Sequence, residues 1–178
     1  MALAQDLPGQ HHYYTGNIMT TYSIESIGII HTPHKSIENM PIQPKGAVGI
    51  EGYVVVDEQY ADGLKDLDGF SHIYLIYYLH KAIRTELLVK PFMDTQTRGV
   101  FATRSPLRPN HIGISIVRLK HIEYNKLIVS DLDILDHTPL LDIKPYVERF
   151  DHVDGSQSGW LTASEREIIE KRSDCRFK

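Results

Sequence analysis

The feature that most restricts this fold is the close succession of β-type runs. "YSIESIGIIH" (22–31), "GYVVV" (52–56), "FSHIYLIYYLHK" (70–81), "TELLVKPF" (85–92), "GISIVRLKHIEY" (113–124) and "KLIVSDLDIL" (126–135) are rich in β-branched and aromatic residues, and no long helical pattern separates them. Strands this close along a chain read as a barrel or sandwich rather than as alternating βαβ units. In "FSHIYLIYYLHK", alternation puts Ile73, Leu75, Tyr77 and Leu79 on one face and His72, Tyr74, Ile76, Tyr78 and His80 on the other. Both faces are largely apolar, which marks a central strand. "DGLKDLDGF" holds one short helical turn at most. After residue 153 the composition changes. "DGSQSG" (154–159) reads as a linker, and "TASEREIIEKR" reads as one closing helix. There Thr162 and Glu165 have capping-box spacing, Ile168 and Ile169 form an apolar stripe, and Glu167 and Lys171 an i,i+4 pair. Residues 1–18 show no period and read as a flexible arm or expression remnant, with Met19 as a possible start; the pair His11–His12 is read as incidental.

At 178 residues the chain suits one domain with a real core. Its longest clean apolar run, "IYLIYYL" (73–79), is too short to span a bilayer, and no signal-peptide pattern is evident. The single cysteine, Cys175, excludes an intrachain disulfide and reads as incidental. Together these features suggest a cytoplasmic protein away from membranes. The net charge of −4 argues against a generic nucleic-acid binder, but the charge is unevenly spread. From Lys81 to Arg108 six basic residues (Lys81, Arg84, Lys90, Arg98, Arg104 and Arg108) accompany only two acids, Glu86 and Asp94.

Two stretches concentrate chemistry. In "GVFATRSPLRPNHIG" (99–113) Ser105 and Arg108 both precede prolines, so the segment is biased to an extended, stiff backbone. Arginines on such a support suit carboxylate or phosphate, whose two oxygens match the guanidinium fork. The plainer alternative is a surface loop whose arginines pair with nearby acids. In "DLDILDHTPLLDIKPY" (131–146) four acids precede Lys144 and Tyr146, and "HTPLL" suggests a turn between Asp136 and Asp142. If the segment folds back, a carboxylate, an ammonium and a phenol converge, a set able to accept a proton and anchor an anion. The alternatives are an internal Asp–Lys pair, or a divalent-metal site on the aspartates. The histidines form no zinc signature: His31 and His34 lie three apart around Pro33, and no H-E-x-x-H occurs. No metal ligands are assigned. His80, which ends a strand beside Lys81, adjoins the basic region.

These two stretches, with "IGIIHTPHK" and "FSHIYLIYYLHK", resemble the TsaA-like family over roughly residues 24–150. Its characterised members are tRNA N6-threonylcarbamoyladenosine methyltransferases of the TrmO type. The resemblance implies a small β-barrel over 19–153, with 154–178 as linker and helix. It also implies S-adenosylmethionine bound outside any Rossmann fold, and a homodimer with its cleft near the subunit boundary. The implied methyl-donor site comprises Gln43, Pro44 and Lys45; His80 and Lys81; Arg104; Ile114; and Asp133, Ile134, Leu135 and Asp136. Two positions depart from the family's usual wording. His111 stands where "RPNPIG" has proline, and His137 where "DGTP" has glycine. A glycine at 137 takes positive φ freely, whereas histidine does so at some cost. The family's longer members carry a further C-terminal domain.

The implied reaction moves a methyl group to a weakly nucleophilic urea-like nitrogen beside the tRNA anticodon. The chemistry asks for a proton acceptor, for which Asp142 is the first choice and Asp136 the second. Lys144 or Arg108 would hold the modified base's carboxylate, and Tyr146 would act as a positioning donor. Ser105, Asn110 and Arg98 are further substrate contacts, and the basic stretch would meet tRNA phosphates. Rival readings are a methyltransferase with another acceptor, a non-catalytic RNA-binding module, and a metal-dependent hydrolase.

Overall fold

Six strands close into an antiparallel barrel in the computed structural model, which describes residues 20–177. The N-terminal arm, its histidine pair, Met19 and the side chain of Cys175 fall outside the described residues. The strands are β1 (Gly28–His31), β2 (Glu51–Val56), β3 (His72–Tyr78), β6 (Ile112–Glu123), β7 (Lys126–Ser130) and β8 (Thr138–Pro145). Around the barrel they run β1-β2-β7-β6-β3-β8. Closure leaves no unpaired edge, the usual hazard of a small sheet.

The expected period of two is what fills the interior. From β3, Ile73, Leu75 and Tyr77 point inward; they meet Val117 and Leu119 of β6, Val54 and Val56 of β2, and Leu140 of β8. The opposite face of β3 is half-buried to exposed, so its apolar character is not explained by the barrel's own packing. The register pairs Tyr74 with Ile116, Ile76 with Ile114 and Tyr78 with Ile112. This lays an apolar ladder on the barrel's outside, where Tyr78, Ile114 and Ile116 are exposed.

Three local expectations are corrected. "HTPLL" is not a turn: Thr138 begins β8, because Thr138 and Leu140 alternate into the core and this burial outweighs the proline between them. The bend lies one residue earlier, at His137, with φ +58°. "TELLVKPF" contributes only β4 (Leu88–Val89), paired with β5 (Arg98–Gly99) outside the barrel; Leu87 and Leu88 are exposed, while Val89 and the half-buried Phe92 pack into a small core outside the barrel. The C-terminal helix starts later than its Thr162 cap implied. Helix α2 (Glu165–Glu170), which follows the one-turn helix α1 (Glu148–Asp151), is capped by Ser164 and Glu167. Lys171 lies just beyond α2 as its C-cap, and the i,i+4 pair on α2 is Arg166 with Glu170 at 2.7 Å.

The segment after α2 returns to the front of the molecule. Pro41 bridges Arg172, and Ser173 N–H donates to the Met40 carbonyl at 2.9 Å. Phe177 then joins Val89, Val100 and Leu107 in a second small core beneath the arginine-bearing loop.

Candidate active site

The inward row of β3 ends in a tyrosine, and this sets the floor of a cleft. Tyr77 is buried, and its hydroxyl lies 3.0 Å from Ser115 Oγ, which donates to Asp133 Oδ1 at 2.6 Å. The ring of Tyr77 fits only because residue 113 is glycine: a Cβ there would lie 2.2 Å from Tyr77 Cε2. Burial strongly disfavours the charged form of both end groups. It raises the Tyr77 hydroxyl well above the ordinary range and pushes the Asp133 carboxyl up to about 6, although the Ser115 hydrogen bond and the Arg104 charge act the other way.

Two adjoining hollows of about 130 and 170 Å³ open above this floor, both bounded by Tyr77 and Asp133. The first is walled by His80, Lys81, Ile134, Leu135 and Thr138; the second by Gln43, Arg104, Arg108 and Ile114. Segments far apart in sequence thus converge, as the two chemistry-rich stretches led us to expect. Arg104 Nη1 donates to Gln43 Oε1 at 3.3 Å, which ties the cationic loop to the "QPK" segment. Among the described residues neither Arg104 nor Arg108 has a carboxylate at ion-pair distance, so the loop is not the self-paired alternative there. Burial and the neighbouring Lys81 lower the pKa of His80, which favours a neutral imidazole.

The departure at His111 holds this loop in place. Its backbone takes φ +49°, unavailable to proline, and its Nδ1 lies 2.8 Å from the Pro106 carbonyl. Leu79 N–H donates to the His111 carbonyl at 2.8 Å, so the loop is clamped to the end of β3.

Several expected residues lie elsewhere. Lys45 pairs with Glu165 of α2 at 2.8 Å, and neither it nor Pro44 lines the cleft. Ser105 is buried and supports its own turn, accepting from Leu107 N–H at 3.3 Å. Arg98 pairs with Asp94 at 2.7 Å and lies over Trp160, while Asn110 is exposed away from the lining. The convergence expected of Asp142, Lys144 and Tyr146 with Asp136 does not occur, because the chain from Thr138 runs out as strand β8 and leads them away from the Asp136 loop. Asp142 and Lys144 pair with each other at 2.9 Å on the outer surface, which is the plainer reading of that motif, and Tyr146 packs near Tyr74 and His72.

Nor do the aspartates gather. Asp131 accepts from Gly49 N–H at 2.8 Å, and Asp133 faces the cleft. Asp136 is held behind the 133–138 loop by Thr32 N–H at 2.9 Å, by His137 Nδ1 at 2.6 Å and by Lys35. Burial alone would raise the Asp136 carboxyl, but these partners outweigh it and hold it at about 2.

Tyr77, Ser115 and Gly113 were not assigned a role from sequence. A signal was present: alternation puts Ser115 inward between aliphatic neighbours, and a hydroxyl at a core position asks for a partner. Phe177 gave none.

The family described as the tRNA-methyltransferase O N-terminal domain matches residues 29–152. A probable S-adenosyl-L-methionine-binding protein of Pyrococcus abyssi is 51% identical over 151 residues, covering 85% of this chain and 82% of that protein. The tRNA (adenine(37)-N6)-methyltransferase of Escherichia coli is 36% identical over 140 residues, covering 72% of this chain and 59% of the enzyme. The crystal structure of TrmO from Pseudomonas aeruginosa superposes with a TM-score of 0.67 at 35% identity, covering 79% of this chain and 63% of that one. The chain therefore spans somewhat under two thirds of the Escherichia coli and Pseudomonas aeruginosa proteins. Since the match runs from β1 through β8 and takes in both loops that build the cleft, this chain belongs to the TrmO N-terminal domain family.

Proposed function

We propose that this protein is an S-adenosylmethionine-dependent methyltransferase acting on N6 of threonylcarbamoyladenosine beside the anticodon of tRNA. The observation that carries the reading is the cleft itself, where a half-buried carboxylate with a pKa of about 6 lies beneath two arginines that, among the described residues, have no carboxylate at ion-pair distance. The residues suit the methyl donor. Ile114, Ile134 and Leu135 supply apolar walls for the adenosyl group, Arg104 and Lys81 cations for its carboxylate, and Gln43 and His80 polar edges. When bound, S-adenosylmethionine supplies an electrophilic methyl group on a sulfonium.

The chain's own part is alignment and proton removal. Clamping the arginine loop to β3 lets Arg108 fix the acceptor's carboxylate without ordering a mobile segment, and good alignment contributes up to roughly 7–11 kcal/mol to such reactions. Asp133 takes over the proton-accepting role first sought at Asp142. It lines the cleft, its pKa of about 6 leaves it mostly ionised at neutral pH, and Ser115 orients it. Lys81, Arg104 and Arg108 form the cationic rim that tRNA phosphates would meet. The outward ladder of Tyr74, Ile76, Tyr78, Ile112, Ile114 and Ile116, of which Tyr78, Ile114 and Ile116 are exposed, supports a homodimer, and Ile114 joins that surface to the cleft. A cytoplasmic setting fits a tRNA substrate.

The test is a pH–rate profile on modified tRNA. Wild-type kcat/KM should fall on the acid side with a limb near pH 6. Asp133→Asn should lose turnover while still binding the donor, and Asp142→Ala should keep both. Full turnover by Asp133→Asn would remove it from the mechanism.

A further inference from the structure

In the 133–138 loop, at residues that do not line the cleft, two imidazoles converge on one buried carboxylate. Asp136 is only 7% exposed, and its Oδ2 lies 2.6 Å from His137 Nδ1, while its Oδ1 lies 3.8 Å from His31 Nδ1. One ligand atom from each of the three residues falls within 4.8 Å of the others. Around a tetrahedral ion with bonds near 2.1 Å, neighbouring ligand atoms sit about 3.4 Å apart. The three groups therefore need shifts of only about an ångström to enclose a metal, and no backbone rearrangement.

The supports are those a metal site requires. Asp136 is fixed by Thr32 N–H at 2.9 Å and by its own N–H, which donates to the His34 carbonyl at 2.8 Å. His31 ends β1, and its ring stacks on Tyr53 at 4.7 Å, which sets the imidazole's plane. His137 is held at φ +58°, a costly backbone for a residue other than glycine, and this conformation brings its ring edge-on to His31 at 5.0 Å. The His137 side chain is 72% exposed, so an ion has a path in and solvent can complete the coordination.

We propose that His31, Asp136 and His137 bind a divalent transition-metal ion of the zinc class. Two imidazole nitrogens and one carboxylate oxygen match that class and do not suit magnesium or calcium. The ammonium of Lys35 contacts Asp136 Oδ2 and stands where the ion would bind; its side chain is 70% exposed and free to swing outward. Lys35 therefore competes with the metal.

The test is calorimetric titration of Zn²⁺ into the full chain, checked by the visible spectrum of the Co²⁺ form. His11 and His12 are replaced by alanine throughout so that the N-terminal pair cannot contribute. One ion should bind per chain. His137→Gly, which suits the positive φ and so preserves the fold, should weaken binding at least about tenfold, and Asp136→Asn at least as much. Lys35→Met should tighten it, an effect that a purely structural ion network does not produce. Absence of Zn²⁺ binding, unchanged affinity in His137→Gly, or weaker binding in Lys35→Met would each overturn the proposal.

Discussion

Replacing Asp133 by asparagine separates the function of this carboxylate from its cost. Asparagine keeps the shape and still accepts the Ser115 hydroxyl, but it cannot ionise. In the folded protein burial raises the carboxyl from an ordinary 3.8 to about 6. Between those values the native state holds a proton that the unfolded chain has released, so wild-type stability must fall as pH rises through the window. Above pH 6 both states have released it, and the accumulated penalty levels off. A shift of about two units corresponds to about 3 kcal/mol. Urea unfolding of both proteins from pH 4 to pH 8 reads this directly. The stability difference in favour of Asp133→Asn should be small at pH 4, grow to about 3 kcal/mol, and flatten above pH 7. In a domain of this size that is a gain in Tm of roughly 6–12 °C. A difference that stays constant across the range would show that Asp133 is not buried as an ionised group, and would refute the reasoning.

Other expectations follow from the same geometry. Gly113→Ala places a methyl against the Tyr77 ring and should cost about 1–3 kcal/mol in thermal unfolding, with weaker donor binding in calorimetry. Ile116→Glu, on the outer ladder, should disrupt the proposed homodimer and leave a folded monomer in sedimentation analysis. Binding of tRNA should weaken steeply between 50 and 200 mM salt, by about tenfold or more for a rim making a few phosphate contacts, and Arg108→Ala should reduce the slope.

Much of the barrel was legible because strand burial has a period of two, and β3 keeps it throughout while β6 keeps it as far as the bulge after Leu119. The misread parts are those where tertiary contacts overrode local signals. "HTPLL" carries a proline, yet closure of the barrel pulls Thr138 and Leu140 inward and makes it a strand. "TELLVKPF" has strand composition, but only Val89 and Phe92 find a core, and it is not the barrel's. For the site, the arginine loop and the Asp133–Leu135 run could be singled out because each concentrates charge in a stiff or unusual stretch. The Tyr77–Ser115–Asp133 chain could not be assembled, since it depends on the pairing of Leu75 with Ser115 across β3 and β6. The same limit hid the His31–Asp136–His137 cluster, in which His31 lies about a hundred residues before the adjacent Asp136 and His137.

Titration of S-adenosylmethionine into the 178-residue chain, beside Arg104→Ala and Lys45→Ala, tests the central claim most directly. The account predicts one donor bound per chain, at least about tenfold weaker in Arg104→Ala, as expected for loss of a charged hydrogen-bonding group, and unchanged in Lys45→Ala, whose side chain faces α2 instead of the cleft. No detectable binding, or binding indifferent to Arg104, would contradict it.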